Sequence, residues 1–149
     1  MTAVLALAPK EAAARLAAEP TLRYVDIRPV HDFAQGHPLA YCLNVPFRFR
    51  HPDGGEWHAN ADFAAIVQWA TAEATGLLVG GDDGFAADEA AAALAAAGCP
   101  GVALVEGGLD GWRAALLPTT RENREGTSYV SLLTGYRRKD KPAKAAHGH

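Results

Sequence analysis

What most constrains this chain is an alternation. Short apolar runs that read as buried strands are separated by stretches of helical periodicity, and the joins carry Gly, Pro or Asp. Arg23 to Ile27 is a β-branched and aromatic run ending in the polar group Asp26, Arg28 and Pro29. Ala40 to Val45 is closed by Pro46, Leu77 to Val79 is apolar throughout, and Val102 to Val105 is the fourth such run. Helical signals lie between them. Pro9 suits a first turn and opens a helix to Glu19, which Pro20 stops. Phe63, Ile66, Val67 and Ala70 fall on one helical face after Asn60, a capping residue. An alanine-rich segment runs to Ala97 with Gly98 as its stop, and Trp112 to Leu117 predicts a last short helix before Pro118. Phe47 to Asn60, rich in His, Arg, Gly and Pro without a period, predicts a long surface loop. The whole pattern predicts an α/β fold with a parallel sheet, helices on both faces and a ligand site at the carboxyl ends of the strands. The loop from Gly80 to Phe85 lies at such an end and leads into a helix amino terminus, where backbone N–H groups are free and the dipole is positive.

Composition narrows the class. A chain of 149 residues, 49% hydrophobic, can bury one core without disulfides or a structural metal. No apolar run reaches the roughly 20 residues a membrane helix needs, and Met1 to Pro9 lacks the pattern of a signal peptide, so a cytoplasmic protein is expected. Cys42 and Cys99 are isolated, with neither a CxxC pair nor zinc-like spacing, and are expected to be reduced and half-buried. The net charge of −3 gives no footprint for nucleic acid, but it is unevenly spread. From Arg137 onward five cations face Asp140 alone, so the tail is basic and the body acidic. A solvated end is the ordinary use of such a tail.

Four segments resemble, in order, the single-domain rhodanese family, the thiosulfate sulfurtransferases and their relatives. Tyr24 Val25 Asp26 Ile27 Arg28 Pro29, then His31 Asp32 Phe33 and Gly36 His37, is similar to the family's opening signature. Asn44 Val45 Pro46 is similar to its NxP, one residue later than usual. Leu77 Leu78 Val79 and the following loop stand where the family carries its active-site loop CxxGxRS, and Gly107, Gly108 and Trp112 resemble its closing GGxxxW. The resemblance covers roughly Pro9 to Pro118 and implies a three-layer fold with a five-stranded, mostly parallel sheet flanked by helices. Asp26, Arg28, Gly36, His37, Asn44, Pro46, Gly107, Gly108 and Trp112 are then positions that hold loops rather than react.

The resemblance also implies a chemistry that this loop lacks. The family's loop cysteine takes a sulfane sulfur as a persulfide, with its thiol pKa lowered by backbone N–H groups and the helix dipole. Matching Gly84 to the loop glycine puts Gly81 at the cysteine, Ala86 at the arginine and Ala87 at the serine. No Cys, Arg, Lys or His occurs from Glu73 to Gly98, so no shift of register restores a site. Asp82 and Asp83, ahead of Gly84 and Phe85, bring like charges to a cradle for anions and are expected to repel such donors and cap the helix. The implied function is therefore a catalytically inactive rhodanese-like binding or regulatory module. Its rival is sulfur transfer through Cys42 or Cys99, or service as an accessory subunit whose reactive cysteine lies elsewhere. Neither cofactor nor metal is expected: His51, His58, Asp53 and Glu56 fit no ligand spacing.

Two further stretches suggest contact surfaces. Phe47, Phe49 and Trp57, interleaved with Arg48 and Arg50, suit a docking surface or loop packing. Residues 119–149 read as an extension to a domain of residues 1–118. There Tyr129, Leu132, Leu133 and Tyr136 share one helical face, able to dock on this domain, on a second copy or on another protein. The partner is thus an unidentified protein or small molecule, with a homodimer left open and nucleic acid and membrane excluded.

Overall fold

The computed structural model describes residues 4–50, 53–81 and 84–139. Five parallel strands form the central sheet: β1 (Leu5–Leu7), β2 (Leu22–Asp26), β4 (Cys42–Asn44), β7 (Gly76–Gly80) and β8 (Val102–Val105), in the order β1-β8-β7-β2-β4. Among the described residues, four further strands of two residues each lie outside this sheet. Strand side chains alternate between faces, and the core divides accordingly. Val25, Leu43, Leu77 and Val79 point to one face, where they pack with α3 (Phe63–Ala70), α4 (Gly84–Ala96) and α6 (Tyr129–Arg138). Tyr24, Cys42, Leu78, Ala103 and Val105 point to the other, towards α1 (Pro9–Ala18), α2 (Val30–Gln35) and α5 (Gly108–Ala114). The five-stranded α/β architecture expected from the sequence is the one observed.

Three local expectations need correction. The edge strand β1 has no counterpart in the sequence reading, because three residues are too few to show a period, yet Leu5 to Leu7 pairs with Ala103 to Val105. The stretch from Phe47 to Asn60 is more than a loop. Here β5 (Arg48–Phe49) and β6 (His58–Ala59) pair as a hairpin, and Phe47 beneath it meets Phe63 edge to face at 5.0 Å. The last helix before Pro118 is not Trp112 to Leu117 but α5, four residues earlier. Its start is set by Gly107 and Gly108, both at positive φ, and its end by Leu116, whose φ of 61° turns the chain out of the helix.

The chain beyond α5 returns to the body. In β9 (Thr119–Thr120) it pairs antiparallel with β3 (His37–Pro38), and then α6, capped by Ser128, lies on α3. Leu132 and Tyr129 are buried there, Trp69 meets Tyr136 at 6.1 Å, and Asn60 donates to the Tyr129 hydroxyl. The apolar face of α6 is therefore docked on its own domain. Among the described residues no helix is long and apolar enough to cross a membrane.

Candidate functional site

A cavity of about 110 Å³ opens at the carboxyl ends of β2 and β7, where a parallel sheet places its ligand sites. Ile27, Arg28, Pro29, Phe47, Arg48, Trp57, Gly81 and Ala86 line it. Gly81 directly follows β7, and Ala86 lies in the first turn of α4. The loop position and the aromatic hairpin, separate in sequence, thus share one cavity. Asp82 and Asp83, with their expected capping and repulsion, lie outside the described residues. Ala87 is buried behind the cavity in the core.

The floor is rigid because the end of β2 is tied in several directions. Asp26 is buried and receives Nε of Arg28 at 3.0 Å and Nη2 at 2.8 Å, a fork that fixes the guanidinium plane. The same Nη2 donates to the Gly36 carbonyl at 2.6 Å. Asn44 Nδ2 donates to the carbonyls of Asp26 and Arg28 at 3.0 and 2.9 Å, clamping β4 to the turn after β2. On the far side, Leu109 N–H donates to the Gly81 carbonyl at 3.0 Å. Gly108 permits that approach: a Cβ there would meet the Gly81 oxygen, and its φ of 53° also favours glycine.

The remaining motif residues hold the surroundings. His37 is buried and stacked on Phe33 at 3.9 Å, and its ring nitrogens lie 3.1 Å from the Pro38 carbonyl and 2.5 Å from that of Glu122. The shorter contact ties the segment after β9 to the core. Pro46 accepts from Asn60 Nδ2 at 2.8 Å, and Trp112, buried edge-on to Tyr24, donates to the Pro118 carbonyl at 2.7 Å. Gly107 forms the left-handed entry to α5.

The cavity walls combine apolar surface with guanidinium groups. Arg48 and Arg50 lie over the Trp57 ring, 5.6 and 4.4 Å from its centre, and Trp57 is half-exposed. No cysteine lines the cavity. Cys42 is fully buried at the start of β4, and its thiol pKa is pushed well up, first by burial and then by the Asp26 charge. Cys99 follows α4, which runs back from the cavity, so it lies at the opposite edge of the sheet. Burial raises its thiol pKa too.

The parallel α/β sheet flanked by helices is shared with known proteins. The rhodanese-like domain family matches residues 8–115, and the chain belongs to that family. Thiosulfate sulfurtransferase 16 of Arabidopsis thaliana, named as chloroplastic, is 33% identical over 97 residues, covering 65% of this chain and 78% of the plant protein. A crystal structure of a thiosulfate sulfurtransferase from Pseudomonas aeruginosa superposes with a TM-score of 0.64 at 27% identity over 80% of this chain. This chain spans only 20% of that larger protein. The polysulfide-sulfur transferase homodimer of Wolinella succinogenes shares the fold, with a TM-score of 0.57 at 20% identity over 78% of each chain.

Proposed function

We propose that this protein is a catalytically silent rhodanese-like module, which uses the cavity between Gly81 and the Arg48–Trp57 hairpin to bind rather than to transfer sulfur. The observation that carries this reading is Gly81 itself. It occupies the first position after β7, lines the cavity and offers no nucleophile, while Ala86 on α4 offers no cation. Sulfur transfer needs a thiolate that attacks the sulfane sulfur of thiosulfate, forms an S–S bond and releases sulfite. Cys42 is sealed in the sheet and Cys99, only partly buried, stands at its other edge, and burial raises the pKa of both thiols. The ligand favoured by the cavity walls has an apolar body for Ile27, Pro29, Phe47 and Trp57.

Intact-mass spectrometry after incubation with thiosulfate tests this. The unmodified mass is expected, whereas one added sulfur that is released again by cyanide, and is lost in Cys99→Ala or Cys42→Ala, would replace this reading with sulfur transfer through a displaced cysteine.

A further inference from the structure

A second cavity, of about 160 Å³, lies between α2 and α5 and is lined by Arg28, Asp32, Gln35, Gly36, Leu109 and Arg113. Arg28 forms the wall between it and the first cavity. Its lining is polar and carries both signs of charge. The Arg28 charge is balanced by Asp26. That leaves Asp32 on one helix and Arg113 on the other, and among the described residues neither side chain has an ion-pair or hydrogen-bond partner. They line the same crevice without pairing with each other, Arg113 exposed and Asp32 partly exposed.

The placing of Arg113 depends on Gly36. That residue has φ 155° and ψ 139°, a conformation that side-chain-bearing residues rarely adopt. A Cβ on it would come within 2.8 Å of Nη2 of Arg113. The Gly36 carbonyl is in turn held by Arg28 at 2.6 Å. The guanidinium of Arg113 therefore rests on a fixed piece of backbone. On the opposite wall, Gln35 donates through Nε2 to the His31 ring at 2.7 Å.

A simple anion would meet Asp32 as well as Arg113, and a simple cation would meet Arg113 as well as Asp32. A molecule carrying both charges satisfies both walls at once, and its zero net charge matches a lining whose charges cancel. We propose that this crevice binds a small zwitterion of the amino-acid class, its carboxylate on Arg113 and its ammonium on Asp32. The proposal does not depend on whether the first cavity is catalytic.

Amide NMR shifts of the full chain, followed while titrating glycine, 4-aminobutyrate, sodium acetate and methylammonium chloride at constant ionic strength, test it. Saturable shifts at Asp32, Gly36 and Arg113 are expected with at least one zwitterion, with affinity up to about fivefold above that for acetate or methylammonium. Asp32→Asn should reduce that affinity to the level of acetate while leaving the rest of the spectrum unchanged. The proposal is overturned if neither zwitterion binds better than the singly charged probes, or if both Asp32→Asn and Arg113→Gln bind the zwitterion as the wild type does.

Discussion

Arg28 reaches both cavities because Asp26 holds its guanidinium in a fork while the Gly36 carbonyl receives the same group from the far side. Both charges are nearly inaccessible, so removing one leaves the other buried without compensation. Arg28→Met should therefore destabilise the fold by about 3–5 kcal/mol in urea denaturation, whereas loss under 1 kcal/mol would mean that water reaches Asp26. The thiols give a second expectation. Burial raises the Cys42 pKa, and burial with the Asp26 and Cys42 charges raises that of Tyr24, so the fold favours their protonated forms. That contribution is complete at neutral pH and is lost as pH rises above the ordinary thiol range of about 8.5. Stability should fall on the alkaline side, and Cys42→Ala should make that fall shallower when urea midpoints are compared from pH 7 to 10.

Among the elements, α6 shows how a segment beyond the matched residues 8–115 is integrated. Its face of Tyr129, Leu132, Leu133 and Tyr136 rests on α3 and adds to the same core as β2 and β7. Leu132→Ala should cost about 2–4 kcal/mol by chemical denaturation; a change below 0.5 kcal/mol would show that α6 does not contribute to the cooperative unit. The elements also show which parts were legible in the sequence. Helix α3 was readable because eight residues suffice to repeat an apolar face, and the strands of the sheet centre because apolar runs stood between turn residues. The hairpin of β5 and β6 was not, since two residues per strand carry no alternation. The bounds of α5 were missed because Leu116, an unlikely residue for a left-handed turn, ends the helix in place of the expected Pro118. At the site, Arg48 and Trp57 were visible as an aromatic and basic cluster. Nothing local indicated that the hairpin folds back beside Gly81, a contact that depends on the packing of Phe47 on Phe63.

For the molecule as a whole, a parallel sheet gathers the loops after β2, β4 and β7 at one edge, where such sheets place their ligand sites. The two cysteines of this chain are not at that edge. Asp26, Arg28, Asn44 and Gly108 form a bonded, close-packed frame around Gly81, which carries no side chain to react. Steady-state formation of thiocyanate from thiosulfate and cyanide measures this most directly. The wild type, Cys42→Ala and Cys99→Ala should all run at the buffer rate, and turnover by the wild type that disappears in either cysteine variant would contradict the account.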